Sequence, residues 1–92
     1  MPSIHVTLPV PLRRAAGGVG DVAAEGDTVG AALASLRRGY PRAVRLFLKE
    51  GDEPRSGVSL FLNGSDVRTM AGLETPLKEG DRLVVVLLMA GG

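Results

Sequence analysis

Arg82-Leu83-Val84-Val85-Val86-Leu87-Leu88-Met89 is the stretch that decides the fold. From Leu83 to Leu88 it is apolar without alternation. A strand that is apolar on both faces reads as the middle of a sheet, often in parallel pairing. A domain with one good helix can cover only one of those faces. With Leu83, Val85 and Leu87 turned to that helix, Val84, Val86 and Leu88 point away and need another cover.

Upstream, Ile4, Val6, Leu8 and Val10 alternate with Ser3, His5, Thr7 and Pro9. Period two predicts a strand with one buried face, ended by Pro11. The glycine cluster Gly17-Gly18-Val19-Gly20 and the short run Asp21-Val22-Ala23-Ala24 predict a hairpin with a loose loop. Asp27 or Thr28 can cap a helix whose stripe is Val29, Ala32, Leu33, Leu36 and Tyr40, with Gly39 at the C-terminal cap and Pro41 preventing continuation. Leu33 and Leu36 are therefore core. A second short helix is expected over Pro41–Lys49, with Val44, Phe47 and Leu48 on one side. After a polar loop, Val58–Leu62 is a strand turned by Asn63-Gly64, and Asp66-Val67-Arg68 is a minimal strand or extended arm. Phe61, between Leu60 and Leu62, points the same way as Val84 and Val86, joined by Pro9 of the first strand.

Composition removes several kinds of function. The 92 residues make one domain, with 45% hydrophobic and 23% charged residues, as in a folded protein. A net charge of +1 gives no general attraction to nucleic acid or to an anionic membrane. With no cysteine there is no disulfide framework, thiolate metal site or cysteine nucleophile. Aromatics at 3% supply no base-stacking platform. His5, the one histidine, sits on the polar side of its strand and has no second ligand to complete a metal set. Gly17-Gly18-Val19-Gly20 lacks the Lys-Ser/Thr of a phosphate loop and reads as a turn. Arg37, Arg38, Arg42 and Arg45 cluster at the helix end. They read as a solvated face that complements the helix dipole, or as a docking site for an acidic partner. No targeting segment is visible, and the apolar run Leu83–Ala90 falls short of the roughly 20 residues of a membrane span, so a cytoplasmic protein is expected.

The sequence closes on Ala90-Gly91-Gly92. Taken with Asp27-Thr28-Val29, Leu33, Leu36, Leu62-Asn63-Gly64, Asp66-Val67-Arg68, the string Gly72-Leu73-Glu74-Thr75-Pro76-Leu77 and Gly80-Asp81-Arg82-Leu83, this tail resembles the β-grasp, ubiquitin-like sulfur carrier family of the MoaD, ThiS and CysO type. The likeness spans essentially the whole chain. It implies an α+β, β-grasp fold: a mixed four- to five-stranded sheet packed on one main helix, as a domain over residues 1–89 followed by a flexible tail over 90–92.

The resemblance also implies a mechanism. The chain is no enzyme and binds no cofactor or metal of its own. The carboxylate of Gly92 is adenylated with ATP by a MoeB/ThiF-like partner enzyme. A sulfur donor then converts it to a thiocarboxylate, which passes to a downstream enzyme, cysteine synthase-like or the large subunit of molybdopterin synthase. Glycine at positions 91 and 92 suits passage through a narrow channel, because no Cβ obstructs the backbone or the reacting carbonyl. The resemblance places the partner-binding face on the sheet side away from the helix, at Phe61, Val84, Val86, Leu88 and Pro9. Leu87-Leu88 stands where MoaD-type carriers have Pro-Pro, while Asp66-Val67-Arg68 and Gly72–Leu77 match CysO-type carriers, so cysteine biosynthesis is favoured over molybdopterin. A ubiquitin-like modifier forming isopeptide bonds through Gly92, and a binding module with an inert tail, are the alternatives.

Overall fold

A computed structural model describes residues 1–88, so the expected tail Ala90, Gly91 and Gly92 lies outside the described residues. Five strands form one mixed sheet: β1 (Ser3–Thr7), β2 (Asp21–Glu25), β3 (Val58–Leu62), β4 (Ser65–Asp66) and β5 (Arg82–Leu87). Their spatial order is β2-β1-β5-β3-β4. The doubly apolar β5 is central, parallel to β1 through Val6↔Leu83 and antiparallel to β3 through Leu60↔Val85. Period-two burial holds where it was expected. Ile4, Val6, Leu60, Leu62, Leu83 and Val85 are buried on one face of the sheet.

Three helices add to the core: α1 (Val10–Arg13), α2 (Val29–Gly39) and α3 (Pro41–Phe47). Thr28 is the residue that caps α2, its Oγ1 accepting from the N–H of Ala31 at 3.2 Å. Val29, Ala32, Leu33 and Leu36 are buried along one stripe, and α3 adds Ala43, Val44 and Phe47. Gly26, at the turn from β2 into α2, is obligatory. A Cβ there would lie 2.4 Å from the nitrogen of Ala32.

The string Gly72–Leu77 is a clasp on the start of α2. The carbonyl of Thr75 accepts from the N–H of Val29 at 3.0 Å, and Asp27 accepts from Leu77 at 2.9 Å. This satisfies a first-turn N–H that the helix leaves unpaired. Thr75 is buried, and its Oγ1 accepts from Ala71 at 3.1 Å. Gly30 lies where the carbonyl of Leu73 crosses the helix, 3.2 Å from where a Cβ would sit.

Local readings are corrected at five places. Val10 does not extend the first strand. Proline at position 11 suits a first helical turn, so Val10 starts α1 and is 70% exposed. Pro9 precedes α1 beyond the end of β1, so the sheet pleat does not set its direction. Gly39 is the last residue of α2 and Tyr40 is its cap. The second helix ends at Phe47, with Leu48 extended behind it, instead of reaching Lys49. Asp66-Val67-Arg68 is no continuous strand. The side chain of Asp66 accepts from the N–H of Arg68 at 2.9 Å and starts a tight helical turn over Val67–Thr69.

Candidate functional site

The sheet face turned away from α2 carries a row fixed by strand register: Asp66, Phe61, Val84, Thr7 and Asp21, across all five strands. Val86 lies one step along β5, opposite Ser59. Phe61, Val84 and Val86 thus come together as an apolar centre on three adjoining positions. They are half-buried, whereas an outward face with no cover would leave Phe61 and Val86 exposed in the isolated domain. Charged side chains close both ends of the row. Arg82 reaches across to Thr7 Oγ1 at 2.7 Å and to Asp21 at 3.1 Å. Arg68 pairs with Asp66 at 2.7 Å and extends to Ser59 Oγ at 3.4 Å. Arginine stems laid along a strand cover apolar surface while their heads stay polar. The guanidinium and backbone N–H of Arg68 hold the Asp66 carboxyl below the usual carboxylate range, and Asp66 raises Arg68 in return. Both therefore stay charged around neutral pH.

Leu88 is 62% exposed just past β5. Its N–H donates to the carbonyl of Gly57 at 2.6 Å, so the chain leaves the sheet beside the loop that precedes β3. Pro9 lies beyond β1, so strand register does not place it on this face. Gly92, Gly91 and Ala90 fall outside the described residues, four positions or fewer beyond Leu88. Ser59 is a member that sequence reasoning missed, although it shares the parity of Phe61 within Val58–Leu62. The Asp66–Arg68 pair could not be read from the sequence, because it depends on the tight turn at Val67. Among the described residues no group of three or more His, Cys, Asp or Glu side chains could hold a metal ion. Nor is any helix there long and apolar enough to cross a membrane. Among the described residues the arrangement offers a surface, with no pair of groups on it set to do acid–base work.

A mixed five-stranded sheet packed on a main helix, with an apolar centre on its other face, defines a β-grasp, ubiquitin-like protein. The ThiS family model matches residues 6–92. The chain belongs to the ThiS family. It is 32% identical over 93 residues to the sulfur carrier protein CysO of Mycobacterium tuberculosis, covering 98% of this chain and 99% of that one. Among solved structures it is similar to the Amycolatopsis orientalis BexX/CysO complex, with a TM-score of 0.86 and 30% identity over 97% of this chain and 99% of that one. The small archaeal modifier protein 1 of Methanosarcina acetivorans gives a TM-score of 0.85 and 31% identity, over 100% and 98% of the two chains. The chain is thus a small carrier of the ThiS/CysO type and not a catalyst.

Proposed function

We propose that Gly92 is the reacting residue of a sulfur carrier acting in cysteine biosynthesis, with molybdenum cofactor synthesis as the next pathway. The observation that carries this reading is the family match, which runs through the last strand and includes Gly91 and Gly92. One carboxylate oxygen of Gly92 attacks the α-phosphate of ATP in an adenylating partner enzyme, and pyrophosphate leaves. Hydrosulfide, or its equivalent on a sulfur donor, attacks the carbonyl carbon of the acyl adenylate, and AMP leaves with the bonding pair. Loss of a proton gives the thiocarboxylate. The carrier binds no cofactor, and ATP is consumed in the partner. Phe61, Val84, Val86 and Leu88 form the surface that the adenylating enzyme and then the sulfur-accepting enzyme cover.

Deletion of Gly92 tests the reading. Intact mass after incubation with the adenylating enzyme, ATP and a sulfur donor should show one oxygen replaced by sulfur in the full chain and no change in the truncated one. Normal ATP–pyrophosphate exchange by the truncated chain overturns the assignment. The likeness to small archaeal modifier protein 1 favours a second reading, in which a lysine amine takes the acyl group instead. Covalent protein ladders in the same reaction identify it.

A further inference from the structure

The exit point of the chain is flanked by positive charge that, among the described residues, no carboxylate neutralises. Arg55 lies two residues before Gly57, the residue that accepts from Leu88. Its Nε donates to the carbonyl of Arg45 at 3.0 Å, which ties the loop to α3. Arg42 and Arg45 share the outward side of α3 with Leu46, which is 54% exposed. Among the described residues Arg42, Arg45 and Arg55 form no ion pair. A helix dipole does not account for Arg42, which sits in the first turn of α3, where positive charge is disfavoured. Between Thr28 and Leu48 there is no acidic residue at all.

This track ends in a cavity of 380 Å³ lined by Glu53, Arg55, Ser56, Ser59, Val67 and Arg68, in which two arginines outnumber the one glutamate. That volume is within the roughly 300–1,000 Å³ of ordinary recognition pockets. Geometry forces an enzyme onto it. The four residues after Leu88 span at most about 14 Å fully extended, at about 3.3–3.6 Å each. Whatever takes the carboxylate of Gly92 into a channel must press its rim against the surface around Leu88.

Resting on the Gly92 reading, we infer that Arg42, Arg45 and Arg55, with the cavity beside Gly57, form a docking site for an acidic rim around the channel of the adenylating enzyme, one carboxylate side chain of that rim seating in the cavity. This surface adjoins the Phe61–Val84–Val86 face through Ser59 and Arg68, and it aligns the carrier by charge before the tail is threaded. Charge complementarity of this kind acts mainly on encounter and register, and salt weakens it.

Two measurements with the adenylating enzyme of the source organism test it: the Kd of fluorescently labelled carrier, and ATP–pyrophosphate exchange, each from low to high ionic strength. The Arg42→Glu/Arg45→Glu double variant changes exposed side chains only, and Arg55→Glu is measured beside it. Each should raise KM and Kd at least tenfold at low salt, flatten their salt dependence and leave kcat at saturation within twofold. Wild-type values of KM, Kd and salt slope in both variants overturn the docking site. Salt-dependent binding of the wild type without any exchange overturns the Gly92 reading and leaves the docking site to be judged on Kd. Absence of both binding and exchange overturns both.

Discussion

Asn63→Asp changes one atom, yet it should unsettle the turn that leads out of β3. Asn63 has φ +49° and Gly64 has φ +91°, the left-handed pair that a tight two-residue hairpin requires. The amide of Asn63 is used at both ends: Oδ1 accepts from the N–H of Arg82 at 3.0 Å, and Nδ2 donates to Asp81 Oδ1 at 3.0 Å. The other oxygen of Asp81 accepts from the N–H of Lys78 at 2.8 Å. One amide thus clamps the β3–β4 turn to the start of the central strand. In the variant a carboxylate oxygen replaces Nδ2. Two unit charges about 3–4 Å apart repel by about 1 kcal/mol even at the dielectric of water. The lost hydrogen bond adds about 1 kcal/mol net. If the new carboxylate swings away, both of its hydrogen bonds go, at about the same total. A cost of about 2 kcal/mol lowers Tm by about 8–16 °C in a domain of this size.

The pH dependence distinguishes this cause from a general loss of packing. In the wild type, the Lys78 N–H and the Asn63 amide hold the Asp81 carboxyl below its usual range. Its stabilisation is present above the ordinary carboxylate value and is lost as pH falls through the lowered one. In the variant, repulsion raises the upper titration of the carboxylate pair, so the penalty disappears as pH falls through it. The Tm difference between the two proteins is therefore largest near neutral pH and narrows between about pH 5 and 3. Asn63→Asp/Asp81→Asn exchanges donor and acceptor and should recover at least about 1 kcal/mol. Thermal unfolding by circular dichroism reads all three proteins. A neutral-pH difference under about 3 °C, or one constant down to pH 3, refutes the reasoning.

Leu36→Ala removes a side chain that is 2% exposed on the buried stripe of α2, and should cost about 2–5 kcal/mol by chemical denaturation. An unchanged midpoint would displace Leu36 from the core. Val86→Asp should lower Tm by less than Leu36→Ala does, because Val86 is only half-buried, opposite Ser59. It should raise the Kd for the adenylating enzyme at least tenfold, about 1.4 kcal/mol. Normal binding by the folded variant would remove Val86 from the partner surface.

What could be read in advance follows from how far apart the determining residues lie. The run Leu83–Leu88 and the alternation from Ile4 to Leu8 carry their own period, so the centrality of β5 and the buried side of β1 were legible. The stripe Val29, Ala32, Leu33 and Leu36 was legible for the same reason. Val10 and Pro9 misled because parity persists in a sequence even where the chain has left the sheet, and only the preference of Pro11 for a helical first turn marked the departure. The Asp66–Arg68 pair and the grip of Thr75 on α2 depend on contacts set by the folded chain. The Gly72–Leu77 string was legible as a family signal, while its task in the fold is mechanical: it closes the first turn of α2. Arg55 carried no signal at all, since its importance comes from Gly57, two residues later, lying against Leu88.

The central position of β5 also sets how the domain bears load. A pull on the chain beyond Leu88 runs along β5, which is held by a parallel partner on one side and an antiparallel one on the other. The hydrogen bonds of both ladders lie across the direction of such a pull. They are strained together in shear, and no single bond opens first. The same tug on an edge strand as short as β4 would peel it one bond at a time. If the end is drawn into one enzyme and then another, as the proposed function requires, the domain is anchored through the part of its sheet that gives way last.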